Sequence, residues 1–190
     1  FGASVAEISW STGALLNYLK REQLDENTLV IFTSDNGGNP VHGASNGILK
    51  GRKGQTLEGG VRVPCIARWP GKIEPGSTSH APASVIDFYA TFGALAKTLI
   101  DPSIKRDGKD ISNHLFNPQR LQPDRPYFYW HVGYLRAVRY GDWKIHLTGK
   151  FSKEKDSEIS LYNLKNDPGE LKNIADKNPK IIKQLLALAE

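Results

Sequence analysis

The chain has 190 residues, 39% of them hydrophobic and 24% charged, and its 25 Lys and Arg against 20 Asp and Glu give a formal charge of +5. That balance excludes wholesale disorder, and no run approaches the roughly 18 apolar residues of a membrane span. The single cysteine, Cys65, excludes an internal disulfide and a cysteine-cluster zinc site. A pI near 9.2 suits an anionic ligand. No helix-turn-helix, RNP or zinc-finger pattern accompanies it, so nucleic acid is not the expected partner. Phe1 as first residue and the lack of any methionine read as a chain processed or cut from a longer one. FGASVAEISW has no basic start, apolar middle and small-residue cleavage pattern, so no signal peptide is expected.

In chain order, residues 3 to 23 predict an amphipathic helix with Val5, Ile8, Thr12, Leu15 and Leu19 on its buried stripe. Thr28 to Thr33 is a continuous, β-branched run, as expected of a strand covered on both faces in a parallel sheet. Gly37 to Gly60 holds eight of the 18 glycines and predicts a long loop, of a length expected only where a loop is functional or disordered. Val61 to Trp69 reads as a strand, with Cys65 a buried inert thiol within it. Pro82 to Lys97 reads as a helix burying Val85, Phe88, Tyr89, Phe92 and Leu95, and Asp101 to Arg125 as a connector. Tyr127–His131, Tyr134–Tyr140, Trp143–Thr148 and Glu158–Asn163 are closely spaced short runs that predict an antiparallel meander. A last helix spans Lys180 to Ala189, opened by Asn178-Pro179. The division expected is residues 1–120 in an α/β domain and 121–190 in a small antiparallel sheet with a helix.

Two motifs carry chemistry. Thr33-Ser34-Asp35-Asn36-Gly37 ends a predicted strand, which is where ligand sites of open α/β sheets lie. Asp35 and Asn36 offer two hard oxygens suited to calcium or magnesium, although Asn-Gly is also a common hairpin turn. Downstream, Lys50, Arg52 and Lys53 sit among glycines, where backbone N–H groups and cations can approach an anion. No Gly-Lys-Ser/Thr follows at the spacing of a nucleotide-binding loop. Glu58 and Arg62, four apart, are candidates to pair and brace this segment. His80, His114, His131 and His146 lack metal-ligand spacing and read as structural.

The order TSDNG, then GRKGQTLEGGVRVP and IARWPGKI, with the tail LYNLKNDPGELKNIADKNPKIIKQLL, resembles the type I, formylglycine-dependent sulfatases of the alkaline phosphatase superfamily. The resemblance runs almost end to end and covers the C-terminal portion of the family pattern. It implies an α/β fold: the C-terminal part of an alkaline-phosphatase-like sheet with flanking helices, followed by a small antiparallel sheet and a C-terminal helix. It implies sulfate-ester hydrolysis, with Asp35 and Asn36 as two ligands of a Ca2+ (or Mg2+) ion. Lys53 matches the lysine that contacts the sulfate group; His42 lies in the loop where substrate contacts are expected. Lys50 and Arg52 carry no assigned role. The Cys/Ser-x-Pro-x-Arg segment that yields formylglycine is not in the sequence, since Cys65 is followed by Ile-Ala-Arg. The nucleophile is therefore expected in a missing N-terminal part, which would also be this chain's physical partner. The resemblance implies an aryl or carbohydrate sulfate as substrate and an extracytoplasmic location: periplasmic, secreted or lysosomal. A phosphodiesterase or phosphonate hydrolase of the same superfamily, and a non-catalytic module binding sulfated or anionic polymers, are the competing readings.

Overall fold

A computed structural model describes residues 1–120, 124–147 and 158–190. The chain divides into two compact units: Phe1–Ser4 with Thr33–Cys65 and Asp124–Glu190, and Val5–Phe32 with Ile66–Pro123. The Gly-rich loop thus belongs to the same unit as the C-terminal sheet.

In the second unit, α1 (Gly2–Arg21) ends in Lys20 and Arg21, whose charges complement the carbonyl end of the helix. Strands β1 (Val30–Thr33) and β2 (Cys65–Arg68) pair in a two-stranded sheet. Arg68 clasps Asp25 through two bonds of 2.6 and 2.9 Å, and the Trp69 indole N–H donates to Glu26 O at 2.8 Å. The expected burial does not hold. No residue of α1 is buried, and Val5, Ile8, Ser9, Thr12, Gly13 and Leu16 line an open apolar groove of about 490 Å³ with Val30, Phe32 and Ile66. Leu15 is 66% exposed, because the step from Thr12 to the groove face falls on Leu16. β1 is likewise not covered on both faces, since Phe32 is exposed.

The strand expected over Val61 to Trp69 is shortened at its start. α2 (Glu58–Val61) is a helical turn closed by Arg62 N donating to Glu58 O at 2.7 Å. Pro64, which lacks a backbone N–H, delays pairing until Cys65. Cys65 is exposed rather than buried. Partial burial pushes its thiol pKa up, only partly countered by the Thr33 hydroxyl, so the sulfur holds little thiolate near neutrality.

α3 (Asp87–Leu95) is turned from the expected face: Asp87 and Thr91 are buried and Phe88 and Leu95 half-buried, while Val85, Tyr89 and Phe92 are exposed. Backbone N–H groups reach this face. The Asp87 carboxylate accepts Ser84 N at 2.8 Å and Lys109 N at 2.9 Å; the Thr91 hydroxyl accepts Ile111 N at 3.0 Å and donates to Asp87 O at 2.7 Å. Buried N–H groups need acceptors, and these two side chains supply them. The segment read as a connector also contains α4 (Ser112–Phe116), anchored by buried Ile111 and His114.

In the first unit, β3 (Pro126–His131), β4 (Tyr134–Tyr140), β5 (Trp143–His146) and β6 (Ser160–Asn163) form an antiparallel meander in the order β3-β4-β5-β6. This is the sheet that the spacing predicts; Thr148, expected at the end of the third strand, lies outside the described residues. α5 (Pro179–Ala189) packs on it with Pro at its first position. Leu135, Val138, Ile145, Leu147, Leu161, Ala175 and Leu185 form the core. Asn173 ties the chain beside β6, its side-chain oxygen accepting Leu161 N and Ala175 N, both at 3.0 Å.

Candidate active site

Asp35 and Asn36 stand on the bend that follows β1, Asp35 exposed and Asn36 half-buried. The Ser34 hydroxyl donates to Asn36 O at 2.9 Å and holds the bend. Immediately after it, the backbone is fastened to the basic Gly-rich segment at three points. Gly37 N donates to Gly60 O at 2.9 Å, and Lys53 N donates to Gly38 O at 3.3 Å. Asn46 bridges both strands of the loop: its side-chain oxygen accepts Gly38 N at 2.8 Å, and its amide donates to Gly38 O at 3.0 Å and Gly51 O at 2.9 Å. The backbones approach so closely that a Cβ on Gly37 would lie 1.8 Å from Gly59 O, and one on Gly60 2.1 Å from Gln55 O. Glycine is required at both positions by space alone.

Lys53 and the Asp35-Asn36 pair are therefore joined by main-chain bonds rather than by their own side chains. Among the described residues no hydrogen bond or ion pair engages the Asp35 carboxylate, the Asn36 amide, the Lys53 ammonium or the exposed His42 ring on the turn Pro40–His42. An uncommitted carboxylate beside an uncommitted amide oxygen fits a hard cation. No group of three His, Cys, Asp or Glu that could hold a metal converges among the described residues.

Beneath the loop lies a cluster of buried charge that local sequence patterns did not indicate. Glu58, Lys144 and Glu170 are all essentially inaccessible. Lys144 Nζ lies 2.8 Å from Glu58 Oε1 and 3.3 Å from Glu170 Oε1, and sits 4.6 Å from the centre of the Tyr129 ring. His146 Nε2 is 2.7 Å from Glu170 Oε1, so this histidine, read as structural, belongs to the cluster. Glu170 Oε2 accepts Glu58 N at 2.6 Å. The Glu58–Arg62 pair is present but long, at 3.8 Å, with Arg62 largely exposed. Burial pushes the Glu170 carboxyl up, but the bond to His146, the Lys144 charge and the Glu58 N–H outweigh it and hold the pKa below the usual carboxylate value. Burial and the Glu58 charge push the Tyr129 hydroxyl strongly up.

A family model described as sulfatase matches residues 1–98, and one described as N-sulphoglucosamine sulphohydrolase, C-terminal, matches residues 52–188. The chain belongs to the sulfatase family. Human arylsulfatase A is 34% identical across 99% of this chain, which spans 42% of that relative. A sulfatase from Pseudoalteromonas sp. superposes with a TM-score of 0.82 at 28% identity, covering 98% of this chain and 40% of that one. A structure described as being in complex with its substrate D-glucosamine-2-N,6-O-disulfate gives a TM-score of 0.76 at 28% identity, over 98% of this chain and 38% of that one. This sulfatase chain thus spans about two fifths of the length of the relatives it matches, in their C-terminal portion. Its architecture is the alkaline-phosphatase-like one that the motifs imply. Among the described residues no helix is long and apolar enough to cross a membrane.

Proposed function

We propose that this chain supplies one side of the active site of a sulfuric ester hydrolase, with Asp35 and Asn36 holding a divalent cation and Lys53 contacting the sulfate group. The observation that carries the reading is the main-chain fastening of Lys53 to Gly38, two residues beyond Asn36, with all three side chains left uncommitted. A Ca2+ (or Mg2+) ion bound there would supply Lewis-acid charge to a developing anion. Lys53 would offset the negative charge spread over the sulfuryl oxygens or the leaving oxygen, from a site already oriented before reaction. His42, exposed on the loop, is placed for contact with the organic part of the substrate. The formylglycine nucleophile would come from sequence outside these 190 residues. In this reading residues 1–120 contribute to the catalytic α/β domain and 121–190 to a small subdomain, with the remainder of the sulfatase as partner. An aryl or carbohydrate sulfate is the substrate class, as the relatives' names suggest, and an extracytoplasmic compartment is the location that the family resemblance implies.

The test is Lys53→Ala in the intact polypeptide that carries this chain, assayed on an aryl sulfate. Loss of one preorganised donor should reduce kcat by about a hundredfold or more. An unchanged kcat removes Lys53 from the site.

A further inference from the structure

We propose that Glu170 is a positioning residue for the candidate active site, locking the loop that carries Lys53 from the far side of the first unit. The inference rests on the functional reading above and extends it to a residue that touches neither the sulfate nor the metal. Glu170 grips Glu58 twice: directly through the Glu58 N–H at 2.6 Å, and indirectly through Lys144, which lies between the two carboxylates. From Glu58 the constraint passes along main chain alone. Gly59 N donates to Lys50 O at 2.7 Å, Gly60 O accepts Gly37 N at 2.9 Å, and Lys53 N donates to Gly38 O at 3.3 Å. Glycines at these positions leave no flexible side chain to absorb a shift, so displacement of Glu58 moves the loop as a body.

Glu170 is itself held in a costly conformation. Its φ of 52° places a non-glycine residue in the left-handed region. Asp167 stabilises that turn, its carboxylate accepting Leu171 N at 2.9 and 3.0 Å and Lys172 N at 2.9 Å. A strained backbone aims a fully buried carboxylate at a loop amide 112 residues earlier. Packing alone does not call for that arrangement, since an apolar trio could fill the same space without desolvating three charges.

The experiment compares Glu170→Gln with Leu185→Ala in the intact polypeptide. Leu185 is the buried residue of α5, packed in the apolar core with Leu135, Val138 and Ile145, so it controls for general destabilisation. Both variants are read by kcat and KM on an aryl sulfate and by amide hydrogen exchange. Glu170→Gln should raise exchange at Glu58, Gly59 and Gly37 at least tenfold, leave β4 and β5 unchanged, and lower kcat at least tenfold. Leu185→Ala should lower the melting temperature without either effect at the assay temperature. Unaltered exchange at residues 58–60 in Glu170→Gln overturns the proposal, as does faster exchange with unchanged kcat. If the wild type hydrolyses no sulfate ester, the function falls and loop exchange alone decides the lock: tenfold faster upholds it, unaltered sinks it.

Discussion

The Glu170 carboxylate accepts the main-chain N–H of Glu58 at 2.6 Å across 112 residues of sequence. This single bond joins the tail of the chain to the turn that closes the Gly-rich loop.

Lys144 is the cation between two buried carboxylates. In Lys144→Met, Glu58 and Glu170 would lose the ammonium between them, and removing one partner of a buried charge pair costs about 3–5 kcal/mol. Urea unfolding at neutral pH measures it. A loss below about 1 kcal/mol would show that Lys144 does not balance the pair.

Acid should weaken the same lock. Glu170 has a folded pKa below its unfolded value, so its contribution is fully present above the ordinary carboxylate range and is lost as pH falls through the folded pKa. The stability difference between wild type and Glu170→Gln should therefore be largest at neutral pH and shrink on acidification. A difference that grows toward low pH contradicts this sign.

Gly37→Ala should disrupt the loop, because the new Cβ would meet Gly59 O at 1.8 Å, a backbone atom that cannot swing aside. Overpacking of this kind costs about 1–3 kcal/mol or more. Denaturant titration reads the stability loss, and faster exchange at Gly37 and Lys53 locates it. Wild-type exchange at both amides would mean that the loop adapts freely.

Asp35→Ala should weaken calcium binding by the intact polypeptide, while Asp35→Asn, which keeps one oxygen donor, should retain part of it. Calorimetric titration decides the point. Identical isotherms for Asp35→Ala and wild type would exclude Asp35 as a ligand.

Much of the C-terminal unit was legible before any coordinates. Runs such as Tyr134–Tyr140 and Trp143 onward, parted by Gly141-Asp142, leave little chain for anything but adjacent antiparallel strands. Asp35 and Asn36 were legible as a strand-end pair, and Lys53 as one of three loop cations. The helix faces were not. Apolar periodicity nominates Tyr89 and Phe92 of α3, yet Asp87 and Thr91 are buried because backbone from residues 109–111 arrives with N–H groups to satisfy. Nor could spacing single out Asn46, whose amide bridges Gly38 and Gly51.

By itself, then, the order of residues determined the meander and the flanking long helices and offered the exposed motifs as candidates, since those depend on near neighbours and on side-chain character. The short helices α2 and α4 it did not reveal. Only the tertiary structure decided that Lys144, on the short strand β5, is wholly buried between Glu58 and Glu170. The physical reason is range. A buried charge is tolerated only where its counter-charges converge, and here they come from 86 residues before it and from the tail after it.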